Sequence, residues 1–220
     1  MGVAGSPHQW AFIRKVYALL TLQLLITTVV SSLVVAFIPI KHFYASNKAA
    51  TIVVCVFIAI TLIIVEIALL ICSEKHPWNY LLLQLFTLVF SLVVGFACVF
   101  VHWKVALECA ILTAAVTIFL TLYTFWATLR KHADFSFLQP FLSSLLVIAL
   151  LCTIIQIFWP LGKIGHALFG AVLVILYSGY IIYDTYSIID KFDYDDYMLG
   201  VVCLYIDIVG LFLSLLDLDS

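Results

Sequence analysis

Charge is what this chain of 220 residues has least of. Only 10% of its residues are charged, against roughly one quarter in an ordinary soluble domain. The hydrophobic share is 66% and the mean hydropathy is +1.25. Such a chain cannot dress a water-facing surface, which excludes a soluble domain. A net charge of -2 provides no basic patch, so no nucleic-acid partner is expected. The six cysteines (Cys55, Cys72, Cys98, Cys109, Cys152, Cys203) stand singly inside apolar runs. Without a C-x-x-C pair or a histidine cluster, both a disulfide framework and a zinc site are disfavoured. No Walker, Rossmann or H-E-x-x-H pattern occurs, and no internal repeat suggests an inverted-repeat transporter.

What is present is a series of apolar runs of the ~20 residues a helix needs to cross the ~30 Å hydrocarbon core. Cutting at charges, prolines and glycines predicts an all-α, single-domain membrane bundle over 1–220, with helices at about 16–38, 49–72, 80–101, 105–127, 140–159, 164–189 and 198–216. The first run follows Arg14-Lys15 like a signal peptide but is too long and lacks a cleavage site, so it reads as a retained span. Pro39 closes the first helix, Pro77 and Pro140 suit first helical turns, and Pro160-Leu161-Gly162 forms a tight turn. Trp10, Trp78, Trp103, Trp126 and Trp159 fall near segment ends, where interfacial aromatics belong. Both arginines and the two dibasic pairs lie on the side of the N-terminus, which is therefore expected to be cytosolic. The last segment is short and contains Gly200 and Gly210, so it either crosses or dips in and returns.

Four carboxylates sit inside apolar segments: Glu66, Glu108, Asp184 and Asp207. An ionised side chain at mid-membrane costs about 2.5 to 3.5 kcal/mol on insertion scales, so each needs a partner, a proton or water. Glu108 lies about a turn from its helix start and is expected to snorkel to the interface. Glu66 is deeper and remains a supporting candidate. Asp184 and Asp207 flank one hairpin, about 7 to 8 Å and 13 to 14 Å from the same face, which places them near one level on antiparallel neighbours.

Two facing carboxylates in low dielectric tend to share one proton, forming a proton-responsive clamp. With the proton gone, the four oxygens suit calcium or another hard cation. The alternative is two acids satisfied separately by hydroxyls such as Tyr183, Thr185, Tyr186 or Tyr205. A hydrogen-bonding separation supports the shared proton, and a gap beyond about 6 Å supports separate roles. The loop acids Asp190, Asp193, Asp195 and Asp196 fail the EF-hand spacing and read as a solvated loop. Gln23, Thr27, Thr28, Ser31 and Ser32 read as helix-packing residues, and His102, His132 and His166 face water or headgroups.

Tyr183-Asp184 with a second aspartate one helix on also resembles presenilin-like intramembrane proteases. Those carry Gly-x-Gly-Asp at the second acid, where this chain has Leu204-Tyr205-Ile206-Asp207, and they need a later Pro-Ala-Leu helix, whereas about a dozen residues follow Asp207 here. An enzyme is therefore not expected.

The motifs "FIRKVY" (12–17), "HPWNYLLLQLFTL" (76–88), "LTLYTFWA" (120–127) with "DFSFL" (134–138), "SGYIIYDTYSII" (178–189) and "LYIDIVGLFLSLL" (204–216) resemble, in order, the transmembrane Bax-inhibitor motif family in its Lifeguard subgroup. The wording is most similar to plant members. The resemblance implies a seven-helix protein of the ER, Golgi or another endomembrane that suppresses programmed cell death and lets calcium leak in a pH-dependent way. It places the proton-sensing dyad on Asp184 and Asp207 and implies no cofactor beyond calcium as the transported ion. It also implies a basic latch residue on helix two, for which Lys75 is the nearest candidate. The alternative within the same family is an adaptor that binds cell-death or stress-response membrane proteins without conducting ions.

Overall fold

A computed structural model describes residues 7–36, 48–71, 78–130, 134–159, 162–192 and 196–218. Among the described residues there are seven helices and no strand: α1 (Pro7–Ala36), α2 (Lys48–Ile71), α3 (Trp78–Val99), α4 (Trp103–Leu129), α5 (Leu138–Phe158), α6 (Lys163–Asp190) and α7 (Tyr197–Leu218). Six of them, all but α2, are long and apolar enough to cross a membrane, and α2 has a shorter apolar stretch at Val56–Leu69. The chain is a polytopic helical membrane protein.

The helices arrange around α7. It packs most extensively on α6 and also touches α1, α3 and α4, whereas α2 leans on α3 and α5 on α6. Met198, Val201, Leu204, Tyr205 and Leu211 of α7 are each at most 1% exposed. By contrast, Leu25, Val29 and Leu33 on α1, or Ile111 and Ile118 on α4, stand more than half exposed and form the lipid-facing exterior. In a bilayer, apolar burial alone gives helices little reason to associate, so close backbone approach and interhelical hydrogen bonds carry the packing. Both occur here. Gly95 of α3 meets α1 so closely that a Cβ would lie 2.8 Å from Val34 Cβ. Gln23, fully buried, donates through Nε2 to Thr87 Oγ1 at 2.8 Å, and Thr27 Oγ1 lies 2.7 Å from the Tyr205 hydroxyl. Ser91 Oγ adds a 3.3 Å contact to Thr27 Oγ1, so α1, α3 and α7 share one hydroxyl cluster.

The boundaries differ from the sequence expectation at the N-terminus. Helix α1 begins at Pro7, not near residue 16, because a proline suits the first turn and the Arg14-Lys15 pair ends the apolar run without ending the backbone ladder. Thirty residues at 1.5 Å each make α1 about 45 Å long, so its first turns extend beyond the hydrocarbon layer. They are docked: Phe12 and Ile13 are buried, the Gln9 amide donates to the Ile189 carbonyl, and the Lys15 ammonium sits 3.2 Å from the Tyr197 ring centroid. At the other end of the chain, α7 runs unbroken for 22 residues, about 33 Å, through Gly200 and Gly210. It crosses rather than re-enters. Pro140 lies in the first turn of α5. Pro39, Pro77, Pro160, Leu161, His132 and the latch candidate Lys75 lie outside the described residues.

Candidate functional site

The two membrane aspartates meet. Asp184 on α6 is 8% exposed and Asp207 on α7 is 5% exposed, and their carboxyl groups lie within interaction range of one another. The reason is the hairpin. Helices α6 and α7 form the most extensive contact in the molecule, and their connection is short enough to hold residues 184 and 207 at one level. Two buried carboxyl groups this near each other cannot both ionise cheaply, so the arrangement suits a shared proton. Asp207 Oδ2 has no hydrogen-bond partner and is fully buried.

The hydroxyls named as alternative partners are engaged elsewhere or stand alone. Tyr183 accepts at its hydroxyl from Lys191 Nζ at 3.3 Å, at the membrane face. Tyr186 points its hydroxyl at Asp134 Oδ1 (3.0 Å) and Asp190 Oδ2 (3.1 Å). Tyr205 turns away from the pair toward Thr27, its ring set edge-on to Phe86 and Phe90. Thr185 Oγ1 has no hydrogen-bond partner. None of these four hydroxyls is hydrogen-bonded to Asp184 or Asp207.

Three further side chains surround the pair and carry no sequence signal apart from helical spacing. Tyr177 and Tyr180 precede Asp184 by seven and four residues on α6, and both lie within electrostatic reach of Asp207. Cys203, four residues before Asp207, lies within reach of both aspartates and of Glu66. A helical wheel drawn from Asp184 and Asp207 picks out all three. Glu66, half-buried on α2, thus lies on the side of the pair, whereas Glu108 is exposed on the second turn of α4. Asp190 and Asp196 are exposed, and Asp193 and Asp195 lie outside the described residues.

Among the described residues no three His, Cys, Asp or Glu side chains gather into a metal-holding group. Calcium takes six to eight oxygens, and the two carboxylates offer at most four.

Outside the membrane, Asp134 in the α4–α5 connection is held below the usual carboxylate range, first by the Ser136 side chain and then by the Ser136 backbone N-H and the Tyr186 hydroxyl. The Ser136 N-H donates to Asp134 Oδ1 at 2.8 Å. Through Tyr186 this loop is tied to α6 two residues from Asp184.

The family profile described as "Inhibitor of apoptosis-promoting Bax1" matches residues 9–218. Protein LIFEGUARD 4 of Arabidopsis thaliana is 45% identical over 214 residues, 97% of this chain and 86% of that protein. Protein lifeguard 4 of Mus musculus is 35% identical over 97% of this chain and 86% of its own length. The Golgi anti-apoptotic protein of Vaccinia virus (strain Lister) is 37% identical over 218 residues, 98% of this chain and 87% of that protein. The chain belongs to the Bax-inhibitor family, in its Lifeguard branch.

Proposed function

We propose that this protein suppresses programmed cell death as a pH-responsive calcium leak of an endomembrane, with its N-terminus cytosolic and no catalytic step. The observation that supports the reading is the burial of Asp184 and Asp207 side by side, within interaction range, at the α6–α7 contact. One proton joins the two helices there. Removing it leaves two like charges, worth about 4 kcal/mol of repulsion at 4 Å and an effective dielectric constant of 20. That is enough to shift a two-state helix packing by a factor of several hundred. Tyr177, Tyr180 and Cys203 lie within electrostatic reach of the pair, and Glu66 within reach of Cys203, so carboxyl and phenol oxygens gather there and suit a hard cation, the Cys203 thiol being a soft exception. The death-suppressing role follows the viral relative, an anti-apoptotic protein of the Golgi, which also motivates the endomembrane location.

The geometry argues against the protease. Leu204 and Ile206 stand where the two glycines of that motif would admit a peptide backbone, and Leu204 is 1% exposed with Ile206 half-buried. In purified vesicles we expect calcium flux that varies with pH between 5 and 8, and a flattened profile in both Asp184→Asn and Asp207→Asn. An unchanged profile in both variants overturns the gating role. Absence of flux from the wild type, with death suppression intact in both variants, would instead select the adaptor.

A further inference from the structure

A groove of about 740 Å³ runs between α1, α4 and α7, with Val94 and Cys98 of α3 also on its wall. Its walls include Leu24 to Ala36 on α1 and Trp103 to Ile118 on α4, about 18 and 22 Å of helix. The lining is apolar apart from a row of hydroxyls, and most of these are satisfied by their own helix. Thr28 donates to the Leu24 carbonyl at 2.8 Å, Ser31 to Thr27 at 2.6 Å, Ser32 to Thr28 at 2.6 Å and Thr113 to Cys109 at 2.7 Å. Thr117 Oγ1 on the same wall is buried without a partner, and the lining offers little else for water to bond. The groove also opens sideways: Trp103, Leu107 and Ile118 on its wall are 64%, 53% and 60% exposed. Because α1 and α4 are membrane spans, what lies outside the opening is hydrocarbon. Small residues face inward from both sides, with Thr28, Ser32 and Ala36 on α1 and Ala106, Ala110 and Ala114 on α4.

We infer that this groove binds one acyl chain of a zwitterionic glycerophospholipid. The volume lies within the ~300–1,000 Å³ of small-ligand pockets, and apolar walls open to the hydrocarbon suit a hydrocarbon chain. The rim supplies both signs for the headgroup. Lys104 lies beside the wall residue Trp103, its Nζ 5.8 Å from that ring, and exposed Glu108 follows one turn on. Trp103 itself stands at the start of α4, where an amphipathic ring marks the headgroup level. The floor of the groove includes Thr27, the residue that holds Tyr205, so a bound chain rests on the junction of α1 with α7.

The test uses the full chain in phosphatidylcholine vesicles carrying a trace of phosphatidylcholine with a photoactivatable acyl chain, and maps adducts after irradiation. We expect adducts per residue on the groove faces of α1 and α4 at least fivefold above those on the lipid-facing α6 residues Leu168, Val172 and Ile175. Ala110→Phe and Ala114→Phe should each cut groove adducts severalfold while leaving α6 labelling unchanged. Unlabelled phosphatidylcholine should compete better than phosphatidylglycerol or cholesterol. Even labelling over α4 and α6, labelling that survives both phenylalanine variants, stronger competition by the anionic lipid or the sterol, or protection of the groove by a second copy in a cross-linked dimer would each overturn the assignment. The outcome does not depend on calcium flux.

Discussion

The ring of Tyr177 on α6 fills the space that a side chain on Gly210 of α7 would need: a Cβ at position 210 would lie 2.4 to 2.7 Å from the tyrosine's Cε1, Cζ and Cδ1. The glycine thus sets how closely α6 and α7 approach, three residues from Asp207. Gly210→Ala must displace the edge of a half-buried ring and should cost about 1–3 kcal/mol, the usual range for overpacking. Thermal unfolding in detergent checks this. Tyr177→Ala in the Gly210→Ala background should recover part of the loss, since the two changes share one contact; simple additivity would contradict the clash.

Tyr205→Phe removes the hydroxyl 2.7 Å from Thr27 but keeps the ring between Phe86 and Phe90. Thr27 still donates to the Gln23 carbonyl at 2.9 Å. We expect a loss near the ~0.6 kcal/mol average for hydrogen bonds between membrane helices. Tyr205→Ala also loses the fully buried ring and should cost about 3–5 kcal/mol. Unfolding titrations of the two variants separate the bond from the packing.

Asp134 has a depressed titration point, so its contribution to holding the α4–α5 connection on Tyr186 is present above the ordinary carboxylate value of about 3.9 and is lost as pH falls below it. Between pH 5 and 8 the contact should not change. Asp134→Asn is therefore expected to leave the pH profile of flux intact, in contrast to the aspartate pair. Protease access to the connection should rise only under acid conditions near or below pH 4.

The first turns of α1 rest on the α6–α7 hairpin through Gln9, Lys15 and the buried Phe12. Lys15→Ala removes a cation over the Tyr197 ring, worth about 0.5–2 kcal/mol. Limited proteolysis in vesicles should cut before Val16 faster in this variant, with the bundle itself unaffected. Phe12→Ala should do the same more strongly, because it empties a site that is 2% exposed.

Much of the architecture was legible without coordinates. Hydrocarbon excludes unpaired backbone and unpartnered charge, so long apolar runs had to be helices and rare acids had to be noticed. Glu66, Glu108, Asp184 and Asp207 stood out for that reason alone, and the hairpin spacing set the depth of the last two. The start of α1 was misplaced because a charge pair interrupts hydropathy but not a helix that continues over the hairpin beyond the bilayer.

Rotation about each helix axis was beyond the sequence. Depth follows from counting residues at 1.5 Å each, but which way Asp207 points depends on how α1, α3, α4 and α6 close around α7. Only that packing turned Tyr205 toward Thr27, brought Asp207 to Asp184 and left Cys203 and Tyr177 beside them. The same holds for the groove between α1 and α4: small residues at helical spacing are visible in the sequence, but whether two such stripes touch or stand apart is decided by the neighbours that hold the helices. Composition determined that the chain lives in a membrane and that its acids need partners. The tertiary structure decided which partners they have, because contacts between helices depend on all the surrounding side chains at once.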